Sequence, residues 1–326
     1  MKKRRLGKSG LQVSEIGLGC WQLGGDFGPV NSTQARSILQ AADQSGINFW
    51  DTADVYGAGK SETRIEQYLF ENKADVIIGT KVGRGGALFP DRYTKENVRA
   101  NIAGSAIRLG VETIDLVQLH CVPLEVLKAG DILAWLEDFQ KEGLIRAFGA
   151  SVETIEEALA VVEQPQLSSL QIIFNLFRQN AIQELFPKAL ANEVGIIVRL
   201  PLASGVLSGK MQRDQAFAET DHRHYNRHGE AFSQGETFSG IPFENALDFV
   251  DEMKAFLPEG MSMAQMAMRW ILDQPAVSTV IAGATRPEQV VENATVSALQ
   301  PLSADLHQKL ADFYHNKVES TIVVSV

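Results

Sequence analysis

The chain predicts a (β/α)8 TIM barrel with an N-terminal β-hairpin and a long loop between the seventh and eighth strands, as a single domain over residues 1–326. Eight short, apolar, β-rich runs recur along it, and amphipathic segments with legible helix ends separate them. Four polar residues, Asp51, Tyr56, Lys81 and His120, stand at or just beyond the C-terminal ends of such runs, where barrels of this kind carry their chemistry.

The first element, KKRRLGKSGLQVS, reads as a short hairpin turning at Ser9 and Gly10, placed to plug the barrel's N-terminal mouth. The eight runs are SEIGLGCW from Ser14, INFWDTA from Ile47, DVIIGTKV from Asp75, IDLVQLH from Ile114, LIRAFGAS from Leu144, SLQIIFN from Ser169, GIIVRLP from Gly195 and STVIAG from Ser278. Their near-continuous Val, Ile and Leu content fits parallel strands covered on both faces. Helices are expected from Ser32 to Ser45, closed by Gly46, and from Thr94 to Leu109, closed by Gly110. Thr154 with Glu157 forms a capping box before ALAVV. Between Gly17 and Gly25 the sequence GLGCWQLGG lacks G-x-G-x-x-G, which removes the main support for a Rossmann fold. The polar stretch from about Met211 to Pro242 has the length of a lid or binding loop, and FENALDFVDEMKAFL and SMAQMAMRWILDQ beyond it have helical periodicity. Strand alternation turns Trp50 away from Asp51 and into the core.

With 45% hydrophobic residues, the chain has material for a large core. Its 30 basic and 40 acidic residues give a net charge of -10, which argues against a nucleic-acid or anionic-membrane surface while allowing a local basic pocket. No apolar run reaches the roughly 18 residues of a membrane span. MKKRRLGKSG is followed only by a broken apolar stretch, so no signal peptide is expected. The two cysteines, Cys20 and Cys121, have no metal-ligand spacing, and a reduced, cytoplasmic protein is the simplest expectation. His222, His224 and His228 lack a carboxylate or Cys partner in metal-ligand order, so they read as a solvated loop and no metal is expected. Oligomeric state is open.

Six segments, WDTADVYGAGKSE, GTK, QLH, GAS, PLASGVLSGK and VIAGATRPEQVVENA, occur in an order and spacing that resembles the aldo-keto reductase superfamily, nearest to its bacterial short-tailed NADPH-dependent members. The resemblance implies a barrel that binds NADPH in an extended form and reduces a small-molecule aldehyde or ketone to an alcohol. Hydride delivery to a carbonyl carbon builds an alkoxide that must be stabilised and protonated. The resemblance gives Tyr56 the role of general acid, and the adjacent Lys81 ammonium is expected to lower its pKa. By the same resemblance Asp51 is expected to hold a buried Lys81 charged, and His120 to orient the carbonyl oxygen.

The resemblance also implies cofactor contacts. Ser151 and Gln171 match its carboxamide-binding pattern, but the Asn expected after Ser151 is Val152, which removes one contact. Arg199 replaces an aromatic residue that stacks on the nicotinamide, and its planar guanidinium can serve that purpose before Leu200 and Pro201. Leu202, Ser204 and Gly205 are expected to offer donors to the pyrophosphate, and Lys210 a charge. Gly283, Thr285, Arg286, Gln289 and Asn293 fall where relatives hold adenosine and the 2′-phosphate, although a frequent Lys of that region is Gly283 here. Cys20 and Trp21, with Asp51, complete the expected cofactor set. Trp21, Leu88, Phe89 and Val122 are expected to wall an apolar substrate pocket. Two other readings stay open: a redox sensor of the same fold, resembling the β subunits of potassium channels, and a barrel lyase with Lys81 as Schiff-base nucleophile.

Overall fold

In the computed structural model, which describes residues 1–324, β1 (Lys3–Arg5) and β2 (Gln12–Ser14) form an antiparallel hairpin. Eight parallel strands then close into a barrel: β3 (Ile16–Gly19), β4 (Phe49–Asp51), β5 (Ile77–Val82), β6 (Ile114–His120), β7 (Ile145–Ser151), β8 (Ser169–Ile173), β9 (Gly195–Arg199) and β10 (Val277–Gly283). Each lies within one of the eight apolar runs, except that β10 starts one residue earlier. Strand β10 pairs with both β9 and β3, which completes the closure.

The helices are α1 (Ser32–Gln44), α2 (Lys60–Asn72), α3 (Lys95–Leu109), α4 (Leu124–Ala129), α5 (Asp131–Lys141), α6 (Ile155–Val161), α7 (Leu185–Ala191), α8 (His222–Tyr225), α9 (Phe243–Met253), α10 (Met263–Leu272), α11 (Pro287–Thr295) and α12 (Ala304–Phe313). Their ends obey the local chemistry. Thr94 caps α3 through its side chain and Gly110 closes it in the left-handed region, while Thr154 and Glu157 form a reciprocal capping box on α6. The cap of α1 is Asn31, boxed with Gln34, one residue before the expected start.

The hairpin plugs the barrel from below. Its turn is closed by Leu6 N–H donating to Leu11 O and Ser9 N–H donating to Leu6 O. Leu6, Leu11 and Val13 pack against Phe49, Leu116, Ala147, Ile197 and Ile281 to form an apolar cluster separate from the main core. Phe49 fits there because residue 79 is glycine: a Cβ at Gly79 would come within 3.0 Å of the Phe49 ring. With this end filled, the opposite, C-terminal end of the barrel is left to hold a site. Trp50 points outward into the core beside Tyr68, as alternation requires. No helix among the described residues is long and apolar enough to cross a membrane.

The segment between β9 and α9 is folded back over the barrel's upper end rather than extended into solvent. His224 and His228 are exposed, as expected, but His222 is fully buried, which corrects its reading as part of a solvated loop. Its ring packs 4.8 Å from Trp21 and 4.4 Å from Phe27, and its Nε2 lies 3.3 Å from Ser204 Oγ. Burial pushes its pKa down to about 4, so the ring is a neutral packing element.

Candidate active site

Asp51 ends β4, Lys81 is the penultimate residue of β5 and His120 ends β6, so three neighbouring strands deliver their polar side chains to one end of the barrel. The tight turn after β4 returns Tyr56 to the same place. Lys81 Nζ donates to Asp51 Oδ2 at 2.5 Å, to Thr52 O at 2.9 Å and to Tyr56 Oη at 3.1 Å. All three ammonium protons are therefore matched. Asp51 Oδ1 in turn accepts from Gln118 Nε2 at 3.2 Å and from Gln171 Nε2 at 2.8 Å.

These contacts fix the protonation states. Burial alone would discharge Lys81, but Asp51 and Tyr56 outweigh it and raise the lysine's pKa. An ammonium held in this way has no lone pair for a carbonyl carbon, which argues against Lys81 as a Schiff-base nucleophile. For Tyr56 the expectation was a lowered pKa, and the outcome is the reverse. Burial, with the Asp51 charge, pushes the phenol up to about 12 against the opposing pull of Lys81. The phenol thus accepts from Lys81 and keeps its own proton. His120 is held neutral, well below the usual imidazole range, by burial and by the charges of Arg84, Lys81 and Arg199. Its ring stands perpendicular to that of Tyr56 at 5.9 Å, and its Nδ1 has no partner among the described residues.

A cavity of about 290 Å³ opens over this group, walled by Trp21, Phe27, Val55, Tyr225 and Phe232, with Arg84, Glu236 and Arg199 on its polar side. Trp21 stacks on Tyr56 at 5.9 Å, as an expected wall residue should. The other three expected wall residues do not line the cavity. Leu88 and Val122 are buried, with side chains in the hydrophobic core, and Phe89 is 40% exposed. Cys20 is also absent from the wall; its thiol is buried, 3.7 Å from Leu18 O.

The first cavity continues into a second, of about 210 Å³, the two sharing Gln22, Phe27, Leu200, Pro201 and Gly283. Ser151, Gln171 and Arg199 line the first, and Leu202, Ser204, Gly205, Thr285 and Gln289 line the second. Leu200, Ala203 and Ser204 take positive φ of 52°, 45° and 56°, backbone strain of the kind that clusters at ligand sites. Four expected contributions change. The Ser204 hydroxyl donates to Glu236 O at 3.0 Å and accepts from Phe238 N–H at 3.2 Å, so the long loop holds it. Lys210 is exposed and lies 3.5 Å from Glu292, outside the groove. Asn293 is buried and Arg286 exposed at the start of α11, neither lining the groove. Gln289 Oε1 accepts from the Thr285 and Arg286 N–H groups and so shapes the mouth of that helix.

Val152 does not face the cavity. Its side chain belongs to the apolar core, while its N–H donates to Gln171 O and its carbonyl accepts from Arg199 Nη2 at 3.1 Å. Asparagine there would bury an amide among apolar neighbours. Val152→Asn is expected to lower unfolding free energy by about 1 to 3 kcal/mol in urea melts. Parent-like stability would mean that the side chain finds a polar partner toward the cavity.

Several residues were missed from sequence. Gln118 was legible in retrospect: it lies two positions before His120 on β6, hence on the same face. Glu236 was not, because only the path of the long loop brings it 2.7 Å from Arg84 Nη1 and 3.6 Å from Arg199 Nη1. Although burial alone would raise its pKa, those two guanidiniums hold the carboxylate below its usual range, whereas burial and the Glu236 charge push Glu153 up to about 7. Cys121, Glu153 and Glu236 bring ligand-type atoms within 4.8 Å of one another, but the two arginines make this an ion-pair cluster. Arg223, bound by Asp221, also lines the second cavity.

Residues 15–315 match the aldo/keto reductase family. An uncharacterized oxidoreductase of Bacillus subtilis is 31% identical over 313 residues, covering 94% of both chains. The NADH-specific methylglyoxal reductase of Escherichia coli is 30% identical over 329 residues, covering 94% of this chain and 96% of its own. Among solved structures, the glycerol dehydrogenase of Gluconobacter oxydans superposes with a TM-score of 0.79 at 27% identity, covering 97% of this chain and 96% of its own. Barrel, strand-end residues and sequence match agree over nearly the same span, and the chain belongs to the aldo/keto reductase family of oxidoreductases.

Proposed function

We propose that this protein reduces an aldehyde or ketone to an alcohol, with NADPH as reductant and Tyr56 as proton donor. The Lys81 ammonium, 2.5 Å from Asp51 and 3.1 Å from the Tyr56 hydroxyl on the wall of an apolar cavity, carries that reading. The bound cofactor would supply the hydride. Ser151, Gln171 and Arg199 would hold its nicotinamide end, and Leu202, Gly205, Thr285 and Gln289 the remainder. The residues present fit such a group: the joined cavities offer two chambers to an elongated molecule, and Gln22 Oε1 at their junction is buried without a partner among the described residues.

In this reading neutral His120 orients the carbonyl oxygen toward Tyr56. As negative charge develops on that oxygen, the Tyr56 proton moves to it, and the phenolate left behind is stabilised by Lys81. A phenol that holds its proton in the free protein is suited to the reducing direction. Asp51 does not touch the reacting atoms; it keeps Lys81 charged and in place. The aromatic walls shield the reacting carbonyl from water.

Reduction is tested by monitoring NADPH oxidation against a panel of aldehydes, ketones and dicarbonyls. Turnover of at least one class supports the reading, and absence of turnover across the panel with either NADPH or NADH contradicts it. Cofactor choice is tested separately. Arg286 is exposed at the N-terminus of α11, and in this reading its guanidinium would reach the 2′-phosphate from outside the groove. Arg286→Ala is expected to weaken NADPH binding by about 1.5 kcal/mol, near the lower end for a charged hydrogen bond because the site is open to solvent, and to leave NADH binding unchanged. Equal losses for both cofactors in fluorescence titrations would assign Arg286 to the helix mouth and not to the phosphate.

A further inference from the structure

At the junction of the two cavities lies a buried amide with no structural task. Gln22 belongs to the Trp21–Gly24 turn after β3, is 8% exposed and lines both cavities. Its Oε1 is buried with no hydrogen-bond partner among the described residues. A buried amide oxygen in that state is unfavourable until something completes it. The room for this side chain comes from the opposite strand. A Cβ built on Gly283 would fall 1.9 Å from Gln22 Nε2 and 2.4 Å from its Cδ, so any larger residue at 283 would expel the amide. Strand register makes the seat a fixed one, since Gly283 pairs with Gly19, three residues before Gln22.

We propose that Gln22, seated on Gly283, is a binding residue for the ribose-diphosphate linker of a dinucleotide; this rests on reading the two cavities as one cofactor groove. The cavity beside Tyr56 takes the reacting ring and the groove beside Thr285 takes the adenosine end. The part of the molecule that passes Gln22 is then the linker. A linker presents hydroxyl donors next to phosphate acceptors, and a primary amide offers one acceptor and two donors in a single plane. Glycine at 283 is what admits the amide: the space that any side chain at this position would occupy is given to a neutral group with both donor and acceptor.

The test is equilibrium titration of the full chain, as parent, Gln22→Leu and Gly283→Ala, with NADPH, NADH, reduced nicotinamide mononucleotide and 2′,5′-ADP. Gln22→Leu is expected to weaken both dinucleotides and the mononucleotide by about tenfold to a hundredfold, the loss of one hydrogen bond to a charged or strongly polar group. Binding of 2′,5′-ADP, which lacks the nicotinamide-side ribose and phosphate of the linker, stays the same. Gly283→Ala keeps the amide but removes its seat, and gives the same pattern. The Tm of ligand-free Gln22→Leu is expected to equal or exceed the parent's, because the amide oxygen has no protein partner to lose. Dinucleotide affinity within about threefold of the parent in a folded Gln22→Leu protein overturns the proposal. So does a lowered Tm with all four ligands weakened together, which assigns Gln22 a structural role. A parent protein that binds none of the four ligands overturns the cofactor reading itself and this proposal with it.

Discussion

Tyr56→Phe is expected to lower kcat for carbonyl reduction by about 10² to 10⁴ while the NADPH dissociation constant stays nearly unchanged. The substitution removes one oxygen and keeps the ring that stacks on Trp21 at 5.9 Å and meets His120 edge-on. Lys81 loses one of three acceptors but retains Asp51 and the Thr52 carbonyl, so the buried ion pair survives. Steady-state kinetics with the best aldehyde, paired with fluorescence titration of cofactor, separate the proton-transfer step from binding. A variant that reduces its substrate within about threefold of the parent rate would remove Tyr56 from the chemistry and leave His120 or water as donor.

Lys81→Met carries the second large effect, and here stability and catalysis fall together. Lys81 is 1% exposed and Asp51 2%, so removing the ammonium leaves a buried carboxylate facing an apolar side chain. Breaking a buried pair from one side costs about 3 to 5 kcal/mol. The amides of Gln118 and Gln171 still donate to Asp51 Oδ1, which places the expected loss near the lower end of that range. Catalysis should fall by about 10², since the phenolate formed on proton transfer loses its neighbouring charge. The double variant Asp51→Asn with Lys81→Met separates the two consequences. It is expected to regain most of the stability in urea melts, because no uncompensated charge remains, and to keep the loss of activity. A single Lys81→Met protein as stable as the parent would show that the pair is not buried in solution.

The strands were readable because parallel barrel strands are covered on both faces and so appear as short apolar runs; Asp51, Lys81 and His120 were readable because each closes or nearly closes such a run. Period-two logic also placed Trp50 in the core. The loops beyond the strand ends were harder. Leu88 and Val122 come soon after β5 and β6, yet the loops turn their side chains into the core: Val122 sits where a Cβ on Gly83 would come within 2.9 Å of it. Proximity in sequence to a strand end gives no direction to a side chain. His222 and Glu236 illustrate the converse. Both lie in a polar segment without periodicity, and only tertiary folding carries one under Trp21 and the other between Arg84 and Arg199. The electrostatics of Tyr56 failed for a related reason. Lys81 as a neighbour was legible, but the burial that outweighs it is a property of the assembled cavity.

The pH dependence of the reduction rate, at saturating cofactor, tests the identity of the proton donor most directly. A donor acts only while protonated, so its rate contribution is constant below its pKa and falls tenfold per pH unit above it. Tyr56, with its phenol pushed up to about 12, remains protonated throughout the neutral and mildly alkaline range. His120, held well below the usual imidazole range, is already neutral there. If Tyr56 is the donor, kcat/KM for the best aldehyde is flat from about pH 6 to about pH 9. A decline of about tenfold per pH unit across that interval would contradict a Tyr56 donor whose phenol keeps its proton there.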